Sequence, residues 1–199
     1  MATFDMNHRS LSEDRKGAVT KKAIPMLYKL SRFAEDHGVH MLLEPLNRYS
    51  TPFCSTARDA VDIASKVNQD NFGILLDTFH MNIEEDDLFD AIRRAKGKLV
   101  GFHVADSNRM APGMGTLDWP KIISTLQEVG YDEVLSVEFC SPIDRTPANP
   151  YPNSIDEDPQ DLSAEQKKFL EDHGSTSVTE EFYSMLTKKS FDTLSNLIH

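Results

Sequence analysis

Apolar residues along this 199-residue chain fall into two alternating patterns. Four short and nearly continuous apolar runs, at 39–44 (VHMLLE), 72–77 (FGILLD), 98–103 (KLVGFH) and 134–139 (VLSVEF), read as strands. They lack strict polar alternation, as expected of parallel strands covered on both faces. Between them the apolar positions recur at helical spacing. Ala57, Ala60, Val61, Ala64 and Val67 form one such stripe, with Thr56 and Asp59 as a capping pair at its start. Leu88, Ile92 and Ala95 form a second, closed by Gly97. A third helix is expected from Asp118-Trp119-Pro120, with Asp118 as N-cap, to just before Gly130. Upstream, 23–36 is expected to be helical, with Pro25 near its start and Gly38 as its stop. Helix–strand alternation of this kind predicts a parallel α/β architecture.

The strand ends narrow the choice. Each run finishes on or next to an ionisable residue: Glu44, Asp77, His103 and Glu138, spaced by 33, 26 and 35 residues. A (β/α)₈ barrel of about 250 residues uses about 31 per unit, and its chemistry sits where the strands end. The expectation is therefore the C-terminal half, about four βα units, of a TIM-type (β/α)₈ barrel. The 38 residues before Val39 are too few for four more units, and no strand pattern follows Phe139. The chain reads as a single domain: an N-terminal arm (1–14), a half-barrel core (15–140), a Pro- and Asp-rich insert (141–163) and C-terminal helices (164–199), the helical segments near 164–172 and 178–198. A half barrel has two open strand edges, which invite a second copy or a complementary half-barrel chain.

Composition trims the functional classes. Twenty-one Lys and Arg against 32 Asp and Glu give a net charge of −11 with no basic block, which disfavours nucleic acid. No apolar run is long enough for a membrane span, and the first residues lack the basic and apolar regions of a secretory signal. Two cysteines, Cys54 and Cys140, suit a reducing, cytoplasmic setting rather than a disulfide framework. A small-molecule partner is expected.

Three carboxylates and one imidazole at neighbouring strand ends make a specific chemical statement. A single carboxylate ending a strand more often caps the next helix, but four ionisable ends in succession point to a shared task. Three carboxylates close together repel one another, and either a proton or a divalent cation must relieve them. Oxygen-rich ligation with one nitrogen favours Mn²⁺, Co²⁺ or Mg²⁺ over a structural zinc. His80, and Arg109 with the Pro112–Gly115 turn behind it, are further candidates beside these ends.

The phrases Glu44-Pro45-Leu46-Asn47-Arg48, Asp77-Thr78-Phe79-His80-Met81-Asn82-Ile83-Glu84-Glu85, His103-Val104-Ala105-Asp106-Ser107-Asn108-Arg109 and Val137-Glu138-Phe139 resemble the sugar phosphate isomerase/epimerase family of xylose isomerase-like barrels, and most nearly its ketose 3-epimerase branch. The resemblance implies one divalent metal held by Glu44, Asp77, His103 and Glu138. It implies Glu44 and Glu138 as the catalytic acid/base pair, and His80 and Arg109 as contacts to substrate oxygens. The activity it implies is isomerisation or epimerisation of a ketose or sugar phosphate by proton abstraction and return through an enediolate. A truncated, inactive half barrel that binds metal or a partner chain is the alternative, and an apurinic endonuclease of the wider barrel family is disfavoured by the net charge. The family's additional sugar-contacting glutamate is here Ser50.

Overall fold

The expected strands form and pair in chain order. The computed structural model describes residues 13–51, 53–140 and 180–198. Its elements are α1 (Glu13–Glu35), β1 (Met41–Leu43), α2 (Ala57–Val67), β2 (Phe72–Asp77), α3 (Thr78–Glu84), α4 (Leu88–Arg94), β3 (Leu99–Val104), α5 (Trp119–Val129), β4 (Leu135–Val137) and α6 (Glu180–Ser195). The four strands make one parallel sheet in the order β1-β2-β3-β4. The insert at 141–163 and the helix expected at 164–172 lie outside the described residues, as does nearly all of the arm at 1–14.

Helix ends follow local chemistry. Thr56 accepts a hydrogen bond from the Asp59 N–H, Asp118 accepts from Lys121, and Asp87 accepts from Phe89 and Asp90. Asn68 and Gly130 close α2 and α5 in the left-handed region (φ 50° and 77°). Helix α1 departs from expectation, since it starts ten residues earlier and carries Pro25 in its interior. Its extra turns are tied to α2 through Lys16 Nζ and Asp59 Oδ2 at 2.6 Å, while Pro25 leaves one backbone bond of the helix unmade.

Strands β1 and β4 are shorter than their apolar runs. The Val39 N–H closes the end of α1 on the Ala34 carbonyl, and the Val134 carbonyl accepts the Tyr131 hydroxyl. Both valines belong to connections.

The core lies on one face of the sheet. Met41, Leu43, Phe72, Ile74, Leu76, Phe102 and Val104 pack with Ala57, Ala60, Ile63 and Ala64 of α2, Ala91 and Ile92 of α4, and Ile122, Ile123 and Leu126 of α5. Cover on both faces was expected from the continuous apolar runs. Among the described residues the opposite face is less enclosed, and Leu42 there is 41% exposed. Both cysteines are free thiols, Cys54 buried and Cys140 half-buried. No helix among the described residues is long and apolar enough to cross a membrane.

Candidate metal centre

Sheet register decides which side chains meet. Ile74 pairs with Leu99, but the next pair is Leu75 with Gly101, so Val100 is an extra residue in β3. Without that bulge, Asp77 would face Phe102. With it, Asp77 faces His103. Gly73 makes the bulge sterically feasible, because a Cβ there would lie 2.0 Å from Val100 Cγ2. In the next pair His103 faces Ser136, so Glu138, two residues on, shares its face. Leu43 points to the helices with Ile74, so Glu44, one residue on, points the other way. Four residues far apart in sequence thus reach one face at one end of the sheet.

There, Glu44, Asp77, His103 and Glu138 each offer a ligand atom, and these atoms all lie within 4.8 Å of one another. His103 Nδ1 is 2.8 Å from Glu138 Oε2 and 3.8 Å from Glu44 Oε1. Asp77 divides its labour: Oδ1 accepts the Phe79 N–H as N-cap of α3, and Oδ2 receives Arg109 Nη1 at 2.5 Å. The capping and the clustering readings of that carboxylate are therefore both satisfied, by different oxygens.

Arg109 reaches Glu138 Oε2 with its other terminal nitrogen at 2.6 Å, and its guanidinium lies 4.7 Å from the centre of the Phe79 ring. His80 is buried beside it, with Nε2 3.8 Å from Asp77 Oδ2. Glu44, Asp77, His80, His103, Arg109 and Glu138 are thus in one constellation, whereas the Pro112–Gly115 turn packs against Asp106 instead.

Electrostatics record the crowding. Burial pushes the carboxyl of Glu44 up, and burial with a hydrogen bond to Glu138 pushes Asp77 up. The His103 hydrogen bond holds Glu138 down against burial, and the same bond pushes His103 up. Three carboxylates against one guanidinium and one imidazolium leave negative charge in surplus when all are ionised, while the two raised acids, Glu44 and Asp77, owe their shift first to burial. A divalent cation fits this donor set. Two ligands on opposite sides of a Mg²⁺-sized ion lie about 4.2 Å apart, so the 4.8 Å spread closes with small side-chain movements.

Several neighbours had no place in the sequence reading. The expected phrase around His80 contains α3, seven residues long, which the apolar pattern is too short to reveal. Thr78 pins it: its hydroxyl donates to the Ala105 carbonyl at 2.6 Å and accepts the Ala105 N–H at 2.9 Å. Asn47 bonds His80, and Glu84 holds the Arg48 backbone and guanidinium at 2.6–3.1 Å. Both lie inside the sequence phrases already singled out, which is the signal that pointed to them.

Residues 6–173 match the family model of the xylose isomerase-like TIM barrel, and the chain belongs to that family. It is 36% identical over 129 residues to the D-psicose 3-epimerase of Enterocloster bolteae, covering 65% of this chain and 42% of that protein. It is 31% identical over 141 residues to the inosose isomerase of Bacillus subtilis, covering 64% of this chain and 49% of that one. The crystal structure of D-psicose 3-epimerase with D-tagatose from Clostridium cellulolyticum H10 superposes with a TM-score of 0.74 at 25% identity, over 96% of this chain and 61% of that chain. The chain spans about two fifths of the length of the curated D-psicose 3-epimerases it matches.

Proposed function

We propose that this chain carries the metal and proton-transfer centre of a sugar isomerase or epimerase of the ketose 3-epimerase type, with a ketose or sugar phosphate as substrate. One observation carries the reading: strand-end Glu44, Asp77, His103 and Glu138 converge within 4.8 Å, with Arg109 linking two of them and His80 alongside. The names of the relatives, D-psicose 3-epimerase and inosose isomerase, support sugar chemistry.

The four residues would hold Mn²⁺, Co²⁺ or Mg²⁺, whose charge, when bound, polarises the carbonyl and neighbouring hydroxyl of the sugar and makes the adjacent C–H more acidic. One of Glu44 and Glu138 removes that proton, and the other returns one from the opposite face, inverting the carbon through an enediolate. The direction of the reaction decides which of the two abstracts. His80 and Arg109 contribute hydrogen bonds to substrate oxygens, and Arg109 supplies fixed positive charge next to the developing anion.

Incubation with D-psicose and Mn²⁺ in deuterated water tests this. Deuterium enters at carbon 3 of the sugar with the wild-type chain, and Glu138→Gln abolishes the incorporation. Wild-type levels of exchange in Glu138→Gln would remove the proposed role. A folded, metal-loaded chain that exchanges no proton would leave the second reading, a metal-binding half barrel without catalysis. The observation behind that reading is that β1 and β4 each pair on one side only among the described residues. A second copy or a complementary half-barrel chain would meet those edges, and sedimentation of the chain at micromolar concentration distinguishes a monomer from such an assembly.

A further inference from the structure

Asp106 sits two residues beyond β3 and is fully buried, yet it is no part of the four-residue cluster. Its carboxylate accepts four N–H donors. Ser107 and Leu117 donate to Oδ1 at 2.8 and 3.2 Å, and Gly113 and the Trp119 indole donate to Oδ2 at 2.7 and 2.8 Å. One side chain therefore gathers a loop that runs from Ser107 to the first residue of α5. The loop wraps it closely: a Cβ on Gly115 would lie 2.2 Å from Asp106 Oδ1.

The Asp106 backbone closes the same loop. Its N–H donates to the Met110 carbonyl and its carbonyl accepts the Arg109 N–H, both at 2.8 Å. Arg109 stands at φ 62°, a left-handed conformation that a residue with a side chain adopts only when its surroundings impose it. The Cys140 N–H holds the Arg109 carbonyl at 2.8 Å from the far side. From this turn the guanidinium reaches both Asp77 and Glu138.

We infer that Asp106 is a positioning residue for Arg109: by collecting the 107–119 loop onto one buried carboxylate, it imposes the left-handed turn that aims the guanidinium between Asp77 and Glu138. Its placement of Arg109 stands on geometry alone; its consequence for turnover rests on the sugar reading above. The four hydrogen bonds also hold the Asp106 carboxyl below the usual range although burial opposes this, so it accepts as an anion.

The chain has a single tryptophan, Trp119, and it touches Asp106 directly, so the contact has its own reporter. The test compares wild type, Asp106→Asn, Arg109→Ala and the double variant. In Asp106→Asn the Trp119 indole N–H resonance shifts, the Arg109 Nε–H resonance of an immobilised guanidinium disappears, and trypsin cuts after Arg109 at least about tenfold faster, as expected of a locally opened loop. With D-psicose and Mn²⁺, KM rises about tenfold while kcat changes less, the scale of a misplaced binding group. In the Arg109→Ala background the same substitution adds under about twofold, because the two act as a unit. If Asp106→Asn does not fold, Trp119→Phe removes one of the four donors without stranding a charge, and a weaker Arg109 Nε–H resonance with faster trypsin cleavage is expected. An unchanged Arg109 resonance and cleavage rate in these variants, or KM effects that multiply in the double variant, would overturn the inference. Should the wild-type chain turn over no sugar, the function proposed above fails, while the resonance and cleavage results still decide the role of Asp106.

Discussion

The Asn47 backbone N–H donates to Nδ1 of His80 across 3.2 Å, and the Asn47 side-chain amide nitrogen lies 2.8 Å from the same atom. A backbone N–H can only donate, so Nδ1 is the accepting nitrogen and the ring proton resides on Nε2, the nitrogen that faces Asp77. Burial first, and the Arg109 charge second, push the ring down to about 4. His80 is thus a neutral donor beside the cluster. Nitrogen NMR of the ring at about pH 7 is expected to show an unprotonated Nδ1 and a protonated Nε2. A proton on Nδ1 would contradict the arrangement.

The β3 bulge makes a sharper structural prediction. Gly73→Ala places a Cβ 2.0 Å from Val100 Cγ2, and the strand must yield. Overpacking of this kind destabilises by about 1–3 kcal/mol, and a slipped register removes His103 from the partner position of Asp77. Denaturant unfolding and Mn²⁺ binding should both weaken. Gly17→Ala is the control, since nothing lies within 4 Å of its added Cβ and a helical alanine stabilises by about 0.5–1 kcal/mol. Equal behaviour of the two variants would contradict the role given to the bulge.

Strand ends, the Thr56 and Asp118 caps and the closing Gly130 follow from residue chemistry within a few positions, and they were readable in the sequence. The meeting of Asp77 with His103 was expected from the strand ends, but the means was not readable, because it depends on one extra residue in a strand whose apolar run looks continuous. Pro25 marks the first turn of a helix by local rules, yet the Lys16–Asp59 pair belongs to an extension that carries it to the helix interior. Asp106 lies inside one of the motif phrases, where local pattern gives it no more than a place in a surface loop. It is instead a buried hub, because its four donors come from positions up to 13 residues away. Local pattern fixes elements, whereas long-range hydrogen bonding places the loops that carry the site.

Acid should expose the Asp106 anion in stability. Its folded pKa lies below the unfolded value, so its contribution is complete above an ordinary aspartate pKa of about 3.9 and is lost as pH falls through the folded value. Urea unfolding at pH 7, 5 and 3 should show a roughly constant gap between wild type and Asp106→Asn at the two higher values, narrowing only at the lowest, since pH 5 and pH 3 lie about a unit above and below that threshold. A gap that stays constant to the lowest pH would contradict the charge assigned to Asp106.

Arg109 neutralises carboxylates that a cation would also neutralise. Arg109→Ala leaves the buried Asp77 charge without its partner, and the metal-free chain should lose about 2–3 kcal/mol, below the 3–5 typical of fully buried pairs because Glu138 is partly exposed. Saturating Mn²⁺ should shrink that loss. Urea unfolding with Mn²⁺ and with a chelator measures both, and an identical loss in the two conditions would contradict the shared electrostatics.

Mn²⁺ titration of the wild-type chain and Asp77→Asn, followed by calorimetry, addresses the four-residue centre most directly. Asparagine caps helices as well as aspartate does, so α3 should survive the change while a charged ligand is removed. The expected result is one saturable Mn²⁺ per wild-type chain, with about 2.7 kcal/mol of added stability at a hundredfold excess over Kd, and loss of both in Asp77→Asn. Equal Mn²⁺ affinity in the two proteins, or no saturable binding by the wild type, would contradict a shared coordination sphere.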